Sequence, residues 1–212
     1  MGQEKHSFDD SVLDTLVQRI SSLQEGREHV VVGLAGGSAS GKGYITERVV
    51  PRLGRTAVLT LDHYYLSYDS LPTQGNFDEP GALELDLFVK HLAELREGGA
   101  IARPTYDFLS SSRLFGRYHM ICSQPVLWVD GLFALHDLVR PHVDLGIFVD
   151  ASAELRGRRR VARDRAEGRN LLDGDGPSYW DTVVQPMYLK HIEPTRQYAD
   201  IVIVNEDHRD LS

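Results

Sequence analysis

Cysteine is nearly absent from this chain: Cys122 stands alone among 212 residues. No intrachain disulfide can form, and a reducing compartment fits. Long apolar runs are missing as well, since no stretch approaches the ~18 residues of a membrane-spanning helix. The segment from Met1 to Ser11 is polar and mixed in charge, which does not read as a secretory leader. A cytoplasmic protein with no membrane partner is expected. Positive charge is in short supply, with 23 Lys and Arg against 31 Asp and Glu and a net charge of −8. That balance argues against a nucleic-acid partner held by phosphate attraction. Internal repeats and low-complexity segments are lacking. His63, His119, His136 and His191 are scattered without metal-ligand spacing and receive no role. No Asn-Lys-x-Asp motif occurs, which argues against a GTPase.

What is present is an alternation of short apolar runs and helical patterns. Strands are predicted near residues 30–35, 57–61, 126–130, 144–149 and 200–204. Helices are predicted near 9–24, 42–52, 85–97, 152–167 and 181–198. Phe88, Leu92 and Leu95 follow an i, i+4, i+7 spacing, and Gly98-Gly99 ends that helix. Strands separated by helices predict an α/β fold built on a parallel sheet. The expected organisation is one domain over residues 30–212, preceded by an N-terminal helical extension over 1–29.

The apolar run Val30-Val31-Val32-Gly33-Leu34-Ala35 leads directly into Gly36-Gly37-Ser38-Ala39-Ser40-Gly41-Lys42-Gly43. A strand feeding a Gly-x4-Gly-Lys loop is the arrangement that cradles phosphates. Glycines permit positive φ and leave the approach to the backbone amides open. The helix expected after Gly41, through Gly43 and Tyr44, adds free N–H groups and the positive end of its dipole. Lys42 reaches the phosphates as a point charge. Position 43 breaks the usual pattern, because the Ser or Thr hydroxyl that holds Mg²⁺ there is replaced by glycine. Adenylate kinases resemble this loop in carrying glycine after the lysine.

In open α/β sheets, ligands sit at the carboxyl ends of the strands. Asp62 follows the second predicted strand and Asp130 ends the third. Phosphoryl transfer needs a proton acceptor for the attacking hydroxyl and a carboxylate beside the metal and its waters. Asp62 and Asp130 are candidates for both tasks. Taken without the loop, Asp62 is equally a helix cap and Asp130 an Asp-Gly turn.

Further segments resemble the uridine kinase (uridine–cytidine kinase) family of the phosphoribulokinase/uridine kinase group, a family of P-loop kinases. They are Asp62-His63-Tyr64-Tyr65, Asn76-Phe77-Asp78-Glu79-Pro80, Pro104-Thr105-Tyr106-Asp107-Phe108 and Val129-Asp130-Gly131-Leu132. Ile147-Phe148-Val149-Asp150, Arg159-Arg160-Val161-Ala162-Arg163-Asp164 and Pro194-Thr195-Arg196-Gln197-Tyr198-Ala199-Asp200 continue the resemblance in order along the chain. The resemblance implies a P-loop NTPase-type sheet with a small lid, about residues 156–180, and transfer of phosphate from ATP with Mg²⁺ to a nucleoside 5′-hydroxyl. Asp62 would be the base and would share the metal side with Asp130. Asp78 would accept from the ribose diol, which presents two donors. Tyr65, Phe77, Tyr106 and Phe108 would line the acceptor pocket with Arg160. Read without the family, Asp78 is a turn residue before Pro80 and the aromatics are core.

Seven of the 23 cations, Arg156, Arg158, Arg159, Arg160, Arg163, Arg165 and Arg169, fall within 14 residues. One reading is a solvated basic face. The other is a lid over the triphosphate, with Arg163 and Arg169 stabilising transferred charge. Two departures from the family bear on the acceptor and the metal: Ser111 stands where the family carries a base-contacting His, and Asp130 replaces Glu. The expected acceptor is uridine or cytidine. A modified nucleoside or sugar, or a nucleotide-binding regulatory protein with impaired catalysis, are the alternatives. Homo-oligomerisation is left open by the sequence.

Overall fold

The computed structural model describes residues 3–168 and 179–206. Six parallel strands form one sheet in the order β1-β8-β7-β2-β6-β3. These are β1 (Glu4–Ser7), β2 (Val30–Gly36), β3 (Thr56–Thr60), β6 (Val126–Asp130), β7 (Leu145–Asp150) and β8 (Ile201–Val204). The remaining two, β4 (Ala100–Asp107) and β5 (Ser112–Cys122), form a separate antiparallel hairpin. β2 is buried along its whole length, as a central parallel strand covered on both faces must be.

The strands alternate between two apolar layers. Val31, Leu127 and Val129 face one layer with Leu85, Phe88, Leu92 and Leu95 of α3 (Leu85–Arg96). Val32, Leu34 and Trp128 face the other, against Leu16 and Ile20 of α1 (Asp10–Gln24) and Ile45 and Val49 of α2 (Lys42–Val49). Period-two alternation on the strands therefore meets period-3.6 stripes on the helices. Asp9 caps α1 by accepting from the Val12 amide at 3.1 Å, satisfying one of its free donors. The helix α4 (Ala153–Ala166) follows β7 and carries most of the arginine cluster.

The predicted strands and most helices form within a residue or two of their expected limits, but the helix expected over 42–52 is α-helical only to Val49 and ends in a 3₁₀ turn at Val50–Arg52, with Pro51 within it. The helical run over 180–198 is irregular, with π-helical turns at Trp180–Val184 and Tyr188–Ile192 around a short α-turn, and a 3₁₀ end at Glu193–Tyr198. Pro186 and Pro194 lie within it, and each removes a backbone donor from the ladder.

Two features go beyond the sequence expectation. β1 pairs in parallel with β8 at the sheet edge, although its residues are polar and mostly exposed. The β4–β5 hairpin leaves the main sheet and bends back at residues 108–111. Its bend leans on the loop after β3, where the Tyr68 amide donates to the Ser111 carbonyl at 2.9 Å. No helix among the described residues is long and apolar enough to cross a membrane.

Candidate functional site

The loop after β2 is shaped by backbone geometry before any side chain acts. Gly36, Ala39 and Gly41 have φ of +148°, +60° and +103°. Alternating handedness turns successive amides to one side and forms an anion-binding concavity. Glycine is required at two of these places: a Cβ on Gly36 would meet the Val149 carbonyl oxygen at 2.4 Å, and one on Gly41 would meet Asn205 Nδ2 at 2.2 Å. α2 begins at Lys42 with no side chain capping it, so its first amides remain open to a ligand. The Ser40 hydroxyl is buried with no hydrogen-bond partner among the described residues. Lys42 Nζ donates to the carbonyls of Gly36 (2.9 Å) and Gly37 (3.0 Å).

Sheet register sets the carboxylates around this loop. Asp130 lies level with Leu34 of β2 and Thr60 of β3, and Asp62 comes two residues beyond Thr60. Burial pulls the Lys42 ammonium below its ordinary pKa, while the charges of Asp130 and Asp62 oppose that pull. Asp130 is pushed up to about 6, chiefly by burial, against the opposing effects of Lys42 and a hydrogen bond from Thr46. Thr46 Oγ1 donates to Asp130 Oδ2 at 2.8 Å.

A cleft of about 820 Å³ runs from the loop to the hairpin, lined along its length by Lys42, Asp62, Asp130, Asp78 and Arg163. Tyr65, Phe77, Tyr106 and Phe108 form its aromatic end, with Tyr65 5.7 Å from both Phe77 and Tyr106 between ring centroids. The Tyr65 hydroxyl is held well above its ordinary pKa by burial and then by the charges of Asp62 and Asp78. Burial likewise pushes Tyr106 up to about 12.

Asp78 is 3% exposed, and its amide donates to Asn76 Oδ1 at 3.1 Å, which fixes the turn that carries it. Arg160 Nη1 approaches Asp78 Oδ1 at 3.5 Å, and Arg160 Nε approaches Asp164 Oδ2 at 3.5 Å. Burial opposes the charge on Arg160, but these two carboxylates outweigh it and raise its pKa. Asp78 Oδ2 is buried without a hydrogen-bond partner among the described residues. Arg163 also lines the cleft, with its guanidinium on Asp164 Oδ1 at 2.8 Å.

The structure thus gathers most of the sequence-predicted residues around one cleft. Tyr44 is placed elsewhere: its ring packs edge-on to Phe8 at 5.3 Å and under the Arg48 guanidinium. An aromatic one turn into α2 points where the α1 side offers packing, so only the Tyr44 backbone remains near the loop. Arg169 and much of the expected lid lie outside the described residues.

Some residues escaped the sequence reading. Asn205, just past β8, donates from Nδ2 to the Ser40 carbonyl at 2.9 Å and braces the loop from behind. The Tyr179 hydroxyl donates to the Gly75 carbonyl at 2.6 Å, tying the start of the helical run from Trp180 to the turn that carries Asp78. Thr46 carried a readable signal, since it lies four residues after Lys42 and hence on the same helix face.

The parallel sheet, the loop geometry and the flanking carboxylates define a P-loop nucleotide-binding protein. The sequence profile of the phosphoribulokinase/uridine kinase family matches residues 31–212. The uridine kinase of Chloroflexus aggregans is 37% identical over 180 residues, covering 82% of this chain and 85% of its own. That of Staphylococcus aureus (strain JH9) is 38% identical over 183 residues, covering 82% and 86%. The solved structure of D-glycerate 3-kinase from Cryptococcus neoformans matches with a TM-score of 0.61 at 14% identity, over 92% of this chain and 95% of that one, a likeness of fold. The chain belongs to the phosphoribulokinase/uridine kinase family and is a phosphotransferase with an alcohol acceptor.

Proposed function

We propose that the protein transfers the γ-phosphoryl group of ATP to the 5′-hydroxyl of a nucleoside, with uridine and cytidine as the expected acceptors. The observation that carries this reading is Asp78: a buried carboxylate with one oxygen lacking a partner among the described residues, at the aromatic end of a cleft that begins at a phosphate loop. A carboxylate there accepts two hydrogen bonds from a vicinal diol. The flanking rings bury the flat faces of a base. The 37–38% identical relatives named uridine kinase support the same acceptor class.

In this reading the backbone amides from Gly36 to Tyr44 hold the phosphates, and Lys42 leaves the Gly36 and Gly37 carbonyls to meet them. Asp62 accepts the proton of the 5′-hydroxyl as its oxygen bonds to the γ-phosphorus. The bond from that phosphorus to the bridging oxygen breaks, and ADP leaves with the electron pair. Arg163, and Arg169 outside the described residues, balance the charge on the moving group. Arg160 holds Asp78 in place.

A divalent cation, expected to be Mg²⁺, fits the donors present. Asp130 and Asp62, whose charges act on Lys42 of the loop, would offer it hard oxygen ligands. Such a site suits a cation that arrives with phosphate and water ligands. When bound, it neutralises charge on the β and γ oxygens.

Ser111 favours a second acceptor class. It sits at φ +49° on the hairpin bend, in the cleft wall. Its short side chain leaves the base edge less strongly read, which suits a modified nucleoside or a sugar. Incubation with ATP, Mg²⁺ and a panel of nucleosides and sugars, with ADP release and product mass recorded, separates the readings. Turnover of uridine or cytidine is expected. Turnover of another alcohol alone would assign the second class, and ATP binding without any turnover would leave a nucleotide-binding protein with impaired catalysis.

A further inference from the structure

The hydroxyl missing at Gly43 has a counterpart one helical turn away. Lys42 and Thr46 are four residues apart in α2 and so share one face of the helix. Trp128 and Asp130 are two residues apart in β6 and so share one face of the sheet. Trp128 Nε1 donates to Thr46 Oγ1 at 3.0 Å, and Thr46 Oγ1 donates to Asp130 Oδ2 at 2.8 Å.

The direction of this relay is forced by chemistry. An indole N–H only donates, so the hydroxyl must accept from Trp128 and direct its own proton to the carboxylate. Trp128 is fully buried, which fixes the first member in place. The hydroxyl consequently engages Oδ2 and restrains the rotation of the Asp130 carboxylate. Asp130 is also the carboxylate that acts most strongly on the Lys42 ammonium.

We infer that Thr46 is the positioning residue for Asp130, and that by holding this carboxylate it strengthens the metal side of a loop that lacks the hydroxyl ligand at position 43. The inference rests on the kinase reading, with Asp130 on the metal side. Thr46 itself does not reach the cation. A hydroxyl that merely satisfied the buried indole would affect stability and leave metal-dependent binding unchanged.

The test is equilibrium binding of ATP by calorimetry, with and without Mg²⁺, on the full chain. Thr46→Val removes the hydroxyl at nearly constant volume, and Thr46→Ser keeps it. Thr46→Val is expected to bind metal-free ATP like the unaltered protein, and to lose roughly tenfold or more of the affinity gained on adding Mg²⁺. Thr46→Ser should retain that gain. Gly43→Ser in the Thr46→Val background should recover part of it, because nothing lies within 4 Å of a Cβ at Gly43. The Mg²⁺ concentration for half-maximal rate should rise in Thr46→Val more than kcat falls.

An unchanged Mg²⁺ gain in Thr46→Val would overturn the inference. So would a Thr46→Ser protein as impaired as Thr46→Val, which would point to methyl packing. If Thr46→Val does not fold, Thr46→Cys, a similar volume with a weak donor, should lose most of the gain, and retention would overturn the proposal. Failure of the unaltered protein to bind ATP would instead overturn the kinase reading, and this inference with it.

Discussion

Asp62 and Asp78 line the same cleft in different company. Asp62 acts on Lys42, Asp130 and Tyr65, whereas Asp78 acts on Arg160, Tyr65 and Tyr179. Their substitutions should therefore separate in kinetics. Asp62→Asn is expected to lower kcat at least about 10²-fold with ATP binding near normal. Asp78→Asn should raise KM for the acceptor by roughly tenfold or more and leave KM for ATP unchanged. Steady-state kinetics with each substrate varied reads both. His63, beside Asp62, gives a pH signature. Burial, then Arg103 and His119, hold its pKa down to about 4. The folded protein keeps this ring neutral, whereas the unfolded chain binds a proton near pH 6.5. Stability from this group is full above pH 6.5 and is lost as pH falls from there toward 4. His63→Phe should flatten that part of the acid limb in thermal melts from pH 7 to pH 4, and an NMR midpoint near 6.5 for His63 would contradict its burial.

At the scale of elements, the loop after β2 depends on support from another end of the chain. Asn205 holds the Ser40 carbonyl, and its side chain fills the space a Cβ on Gly41 would need. Gly41→Ala combines that clash with a left-handed backbone, a strain of about 1–2 kcal/mol before the clash. The expected result is a lower Tm and nucleotide affinity reduced by roughly tenfold or more. Adding Asn205→Ala should relieve the clash and restore part of the Tm, leaving the backbone strain. The loop itself was legible, because Gly36, Gly41 and Lys42 carry their mechanism in their spacing. Asn205 was not, because a lone Asn after a short strand has no pattern that joins it to a loop 165 residues away. β1 escaped for a related reason: Glu4–Ser7 is a polar edge strand paired with β8. The hairpin escaped because β5 buries none of its residues and shows no in–out alternation.

Across the whole molecule, the sheet collects distant segments at one end of its strands. Register alone places Leu34, Thr60 and Asp130 level, and the phosphate loop, Asp62 and the Asp130 carboxylate follow from it. The sequence order of apolar runs and helices was enough for the parallel α/β architecture. The position of the Tyr44 ring was not readable, because the side of α2 that meets the segment before α1 is settled only by packing against Phe8. The Thr46 relay likewise required α2 and β6 to meet. The cleft they form joins a phosphate cradle to an aromatic chamber with Asp78 at its wall. The most direct test of transfer to a specific hydroxyl is the product formed from ATP, Mg²⁺ and uridine, located by phosphorus–proton coupling in NMR, with 5′-deoxyuridine as the paired substrate. The account predicts a phosphate on the 5′-oxygen of uridine and no phosphorylated product from 5′-deoxyuridine. Phosphate on a 2′- or 3′-oxygen, or equal turnover of the 5′-deoxy compound, would contradict it.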